Sequence, residues 1–188
     1  MRRLFVLVFL LFPFFCSHGE EHIVFYRFGT KDPGAWNQLR KYFVTKGYRI
    51  SLYDGADNLE EHVENVNRIN GLNASLLIAM DYGIGDKNRS MVAVTTAKKG
   101  RGNILAIDEV SAVHGAESRE LANLVAGTFK KNVMELPLFP LLGVDMPGIF
   151  LWVESTPDRS TEVFDKLHDG LQKYLKRGRK NEKQRKGQ

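Results

Sequence analysis

Side chains able to do chemistry are sparse along this 188-residue chain, and their spacing excludes several reaction classes at once. The segment that organises the rest is His22 to Ala35, HIVFYRFGTKDPGA. It begins as a short apolar strand, Ile23 to Tyr26, and breaks into the turn-rich loop Gly29 to Gly34 before a helical pattern starts near Ala35. Strand exits of this kind are where α/β proteins place their working groups. Here the loop offers one carboxylate, Asp32, and two cations, with Phe28 where a reactive side chain is expected. Further exits offer Asp81, followed by Tyr82-Gly83-Ile84-Gly85-Asp86, and Glu154 at the end of a second apolar run. A GxSxG elbow, a GxxxxGK[ST] loop and a GxGxxG turn are all absent, so the sequence patterns of serine-hydrolase, P-loop and dinucleotide chemistry are missing.

The histidines give no metal signature, since neither HExxH nor HxH occurs. His22 is read as a surface residue near a chain end, His62 as half-exposed beside Val63, and His168 as a surface residue beside Leu167. His114 stands near Asp108, Glu109 and Glu117, a group that reads as a solvated acidic loop or, less simply, as a cation site.

The elements that must position these groups follow from periodicity. Trp36, Leu39, Tyr42 and Phe43 form a helical face closed by Gly47. Tyr48 to Leu52 alternates as a strand. Asn58 or Asp57 caps a helix with Leu59, Val63, Val66 and Ile69 on one side, ended by Gly71. Ala74 to Met80 is a continuous apolar run, the pattern of a strand buried on both faces. Ser90 to Thr96 alternates again, and Asn103 to Val110 is expected to pair back on it as a hairpin. Ser118 is expected to cap a helix through Phe129. Leu136 to Gly143 reads as irregular, Gly148 to Glu154 as a last buried strand. A helix capped by Ser160 follows, facing inward with Val163, Phe164, Leu167, Leu171 and Leu175. This order predicts an α/β three-layer sandwich, a mostly parallel twisted sheet with helices on both faces.

Three regions are expected. Arg2 and Arg3 before the apolar run Leu4 to Phe15, with Ser17 and Gly19 at the −3 and −1 positions, read as a secretory signal peptide over 1–19. The rival reading makes Cys16 the acylated residue of a lipoprotein, and either reading exports the body to the periplasm or cell envelope. Cleavage after Gly19 leaves no cysteine, and with it no disulfide and no cysteine-ligated zinc. Residues 20–175 form the domain. Residues 176–188 hold seven Lys/Arg and one Glu without an apolar residue, and read as a disordered basic tail suited to weak contact with anionic lipid or wall polymer. Without that tail and the two leader arginines, 18 basic residues face 21 acidic ones. The body therefore lacks the bulk basicity of a nucleic-acid binder.

Four segments taken together resemble the zinc-dependent N-acetylmuramoyl-L-alanine amidases, a family of bacterial cell-wall hydrolases. Phe25 to Ala35 overlays the family's DPGHGGxDPGA-like segment without a gap. Ile69 to Asp81 follows its AN…nADLFISIH segment position for position. Ser118-Arg119-Glu120-Leu121-Ala122 is similar to its SxxLA helix start, and Asp145-Met146-Pro147 with the apolar run behind it to its last catalytic strand. The resemblance spans nearly all of Ile23 to Tyr174 and implies the family's α/β fold. It also implies a zinc ion held by two histidines and a glutamate, with a catalytic glutamate on the last strand. The departures fall on that chemistry. The histidine positions carry Phe28 and Asp81, the segment bearing the glutamate ligand is missing, and the catalytic position carries Trp152, with Glu154 two residues on. No metal ligands are thus expected, and no cofactor. The resemblance implies an inactive amidase-like domain that binds peptidoglycan or an envelope protein around Phe28, Asp32, Asp81 and Trp152. The alternative is an active peptidoglycan amidase with a rebuilt site, for which Glu154 is the catalytic candidate; Asp32, Asp81 and Glu154 together could also hold a hard cation.

Overall fold

The structure is a computed structural model that describes residues 20–29, 33–98 and 106–186, with side chains described as far as residue 178. The predicted leader, including Cys16, lies outside the described residues, as do Thr30, Lys31 and Asp32. Among the described residues, six strands form one sheet: β1 (His22–Gly29), β2 (Arg49–Asp54), β3 (Leu76–Ile84), β4 (Arg89–Thr95), β5 (Val133–Leu136) and β6 (Gly148–Ser155). Their spatial order is β2-β1-β3-β6-β4-β5. Four of these five pairings are parallel and one, β4 with β6, is antiparallel, so β4 and β5 run opposite to the other four strands. The α/β architecture and mostly parallel sheet expected from the sequence are the ones observed.

Alternation along the central strands divides the interior into two layers. Ile23, Phe25, Ile78, Met80, Ile149 and Leu151 face one side, where α1 (Pro33–Thr45), α4 (Gly115–Phe129) and α5 (Ser160–Lys186) cover them. Val24, Tyr26, Leu77 and Ala79 face the other, where Val66 and Ile69 of α2 (Leu59–Asn70) and Leu141, Val144 and Met146 of a following loop complete a smaller core. Asn58 caps α2, its side chain accepting from the Glu61 amide at 2.9 Å. All five apolar residues expected on the inner face of α5 are buried.

Several local expectations are corrected. Asn103 to Val110 does not form a hairpin strand: residues 103–105 lie outside the described set, and Ile107–Val110 is a short helix, α3. The place beside β4 is taken by β6 on one edge and by the unpredicted β5 on the other. Ser118 is not a cap, because α4 begins at Gly115. Its hydroxyl is instead buried inside the helix, accepting from the Gly148 amide at 3.0 Å at the start of β6. Helix α5 runs on through Lys186, along most of the stretch read as a disordered tail. Lys, Arg, Gln and Glu are good helix formers, and the packed segment 160–175 supplies the costly nucleus from which the helix extends.

Candidate functional site

The register of the sheet sets the candidate site. Phe28 of β1 pairs with Asp81 of β3, Asp81 with Trp152 of β6, and Trp152 with Met91 of β4. Four strands therefore present one continuous row, on the face that α2 covers only farther back, near the carboxyl ends of β1, β3 and β6. Neighbours in such a row stand about 4.8 Å apart. One row farther along, Glu154 pairs with Gly83 on one side and Arg89 on the other. The sequence positions Phe28, Asp81, Trp152 and Glu154 are thus brought to one face. Asp32 lies outside the described residues.

Each side chain has a distinct setting. The Phe28 ring meets Tyr26 edge-on at a centroid distance of 4.8 Å and lies over Gly55, whose amide donates to the Arg27 carbonyl at 2.6 Å. A Cβ at residue 55 would reach the Phe28 ring carbons at 2.6 Å, so the ring holds its place because residue 55 has no side chain. The carboxylate of Asp81 rests against Gly29, which has φ +73°, a conformation glycine adopts at little cost. Burial raises the Asp81 pKa above the ordinary carboxylate value. Glu154 lies against Gly85 in the same manner. Trp152 and Glu154 are half-buried. Glu154 also lines a cleft of about 210 Å³ with Arg89, Lys131, Arg159, Glu162 and Lys166.

Arg27, unremarked in the sequence, points to the opposite face. Its guanidinium pairs with Asp54 at 2.5 Å and sits 5.7 Å from the Trp36 ring, and its Nε is buried without a hydrogen-bond partner among the described residues. Arg89 was equally hidden, because only the antiparallel pairing of β4 with β6 sets it opposite Glu154.

The histidines are placed differently from expectation. His62 is fully buried, its Nε2 2.9 Å from the Leu142 carbonyl and its Nδ1 3.0 Å from the Tyr26 hydroxyl. A carbonyl only accepts, so Nε2 carries the proton and Nδ1 accepts from Tyr26. His22 is buried against Ser51 at 2.9 Å, and His168 is largely covered among Tyr42, Phe43 and Tyr48. His114 faces Asp145 at 3.3 Å rather than an acidic cluster. Desolvation lowers the pKa of His22, His62 and His168.

The zinc ion that the resemblance implies does not fit this donor set. Phe28 and Trp152 have no metal-binding atom, and Asp81 supplies a single carboxylate where catalytic zinc takes three protein ligands. Among the described residues, no group of three His, Cys, Asp or Glu side chains could hold a metal ion.

No protein-family model and no curated protein matches the sequence. Solved structures do match. The catalytic domain of CwlV, an N-acetylmuramoyl-L-alanine amidase from Bacillus (Paenibacillus) polymyxa var. colistinus, superposes with a TM-score of 0.55 at 12% identity, over 83% of this chain and 98% of that one. The apo form of the amidase Ami1 from Mycobacterium abscessus gives 0.55 at 10% identity, over 83% and 99%. AmiC2 of Nostoc punctiforme gives 0.50 at 16%, over 84% and 98%. With nearly the whole of each of these domains matched, the chain has the fold of the N-acetylmuramoyl-L-alanine amidases.

Proposed function

We propose that this chain is an exported cell-envelope protein that binds peptidoglycan along the carboxyl edge of its sheet and does not hydrolyse it. One observation carries the reading. The three positions where the resemblance puts two zinc-binding histidines and a catalytic glutamate are neighbours in one row, and they hold Phe28, Asp81 and Trp152. Water activation at neutral pH by this family's route needs the metal, and this row cannot hold it. What remains is an aromatic and acidic surface on a fold whose neighbours are named as amidases of N-acetylmuramoyl-L-alanine. Rings of this kind stack on sugar faces, and a carboxylate accepts hydrogen bonds from hydroxyl or amine groups. The leader-like segment 1–19 supports export to the periplasm or envelope.

The experiment is incubation of the purified protein with cell-wall sacculi, with and without added zinc. The pelleted fraction and the peptides released are both measured, and the zinc content of the protein is read by elemental analysis. Binding without release supports the proposal, and absence from the pellet overturns it. Release of peptide with near-stoichiometric zinc would establish instead an active amidase with a rebuilt site. The observation favouring that second reading is Glu154, held against Gly85 at the mouth of a cationic cleft. The basic end of α5 adds weak attraction to anionic lipid or wall polymer, which falls with salt. Deleting residues 176–188 tests it: sedimentation with membranes and sacculi that is unchanged by the deletion removes the tail from the account.

A further inference from the structure

Asp81 is a carboxylate partly withdrawn from water, and among the described residues it has no hydrogen bond and no salt bridge. Among the described residues, the near cations are engaged or displaced. Arg27, one residue before Phe28, points to the opposite face, held by Asp54 and the Trp36 ring. Arg89 stands opposite Glu154, one row on and with β6 between it and Asp81. A desolvated carboxylate without a partner is costly, and proteins normally offset that cost with a cation or several donors. In the sheet row Asp81 has Phe28 on one side and Trp152 on the other, both aromatic.

We propose that this row binds a primary ammonium group carried on an aliphatic stem, with Asp81 as its counter-ion and the flanking aromatic residues as the surface for the stem. Charge complementarity selects the ligand. A lone carboxylate leaves most of the six or more ligands of a calcium or magnesium ion to water and so gives such an ion no selective site. One ammonium, by contrast, is matched by one carboxylate, and aromatic faces add attraction to the cation and cover its methylenes. Glu154 lies on the next strand and two residues farther along, and its carboxylate is seated against Gly85 while that of Asp81 is seated against Gly29, so the two acids are turned to different places on the face. The inference deepens the peptidoglycan reading and rests on it in one respect: the amine is then a free side-chain amine of a wall peptide.

The test uses the purified full chain and two probes, Nα-acetyl-lysine methylamide and the same compound acetylated at Nε. Binding is followed through the NMR signals of the Gly29 amide and the Trp152 indole. The free amine is expected to bind at least ten-fold more tightly than the acetylated form, and Asp81→Asn to abolish that preference while Asp81→Glu retains part of it. Amide signals of the β1–β3 core report whether each variant is folded. Equal binding of the two probes, binding of neither, or an undiminished preference in folded Asp81→Asn overturns the inference. Sacculus binding without an amine preference would overturn this inference alone. An amine preference without sacculus binding would overturn the wall reading and leave the amine site standing.

Discussion

The carboxylate of Asp81 occupies the space that a side chain at Gly29 would need, one position beyond its row partner Phe28 on the neighbouring strand. Gly29 is required twice, by its left-handed backbone at φ +73° and by this contact. Gly29→Ala is therefore expected to cost roughly 2–3 kcal/mol, combining a left-handed backbone penalty of 1–2 with displacement of the carboxylate. In an Asp81→Ala background the same change should cost only the backbone part. A double-mutant cycle in urea measures the difference, and additive costs would show that the two residues do not compete for the space.

Asp81→Asn isolates the electrostatic part. Burial raises the folded-state pKa of Asp81, so the ionised group weakens the fold at pH values above it, and the cost fades as pH falls through the folded pKa toward the unfolded value near 3.8. The amide variant is thus expected to melt higher than the parent at pH 7 and to match it at pH 3. Melting temperature against pH for the two proteins checks this. A constant offset between them would contradict desolvation of Asp81.

The parts of this fold that were legible in the sequence are those set by one dominant force. Leu76 to Met80 must be a buried central strand because apolar side chains on both faces need two layers of cover. A cap at Asp57 or Asn58 was legible from residue type, and Asn58 is the one that serves, its side chain reaching the Glu61 amide. The failures occur where a partner distant in sequence decides. Strand β5 has only four residues, including Glu135, whose carboxylate meets Arg119 at 2.9 Å, and it exists because β4 has a free edge. Ser118 resembles a cap by type, but its hydroxyl serves a strand 30 residues away. The geometry of the candidate site was half legible. The positions of Phe28, Asp81 and Trp152 could be aligned, but their placement in a single row, and the two glycines that seat the acids, depend on register.

His62 illustrates the same limit and yields a prediction. Beside Val63 on an amphipathic helix it reads as half-exposed, whereas it is buried between Tyr26 and Leu142 with the Phe139 ring 4.4 Å away. His62→Leu should destabilise the fold by roughly 2–4 kcal/mol, since the hydrogen bonds are lost and the Leu142 carbonyl is left buried. Burial lowers the folded pKa of His62, partly offset by the bond to Leu142. Stability from this group is accordingly complete above the unfolded value of 6.5 and declines as pH falls from there toward the folded pKa. His22 and His168 are shifted the same way and add to the slope. Urea midpoints between pH 8 and pH 5 should fall for the parent and fall less steeply for His62→Leu. Equal slopes would mean that His62 titrates normally.

The last prediction sets two opposing effects at one position. Gly170 lies within α5, where alanine is the better helix former by about 1 kcal/mol. Propensity alone thus favours Gly170→Ala. Packing opposes it, because a Cβ there would come within 2.7 Å of the Val125 Cα and 2.9 Å of Val125 Cγ2 on α4. The first contact is with backbone, so relief requires the two helices to separate, and overpacking of this kind costs typically 1–3 kcal/mol. Separation would also loosen Leu121, Val125, Leu167 and Leu171, all fully buried between these helices and the sheet. The clash outweighs the propensity gain, and Gly170→Ala is expected to lower stability by about 1–2 kcal/mol. Gly178→Ala, at a position of the same helix where a Cβ meets nothing within 4 Å, should leave stability unchanged or raise it slightly. Thermal melts of the two variants side by side decide the matter, and a stabilised Gly170→Ala protein would mean that α4 and α5 pack less closely than this structure places them.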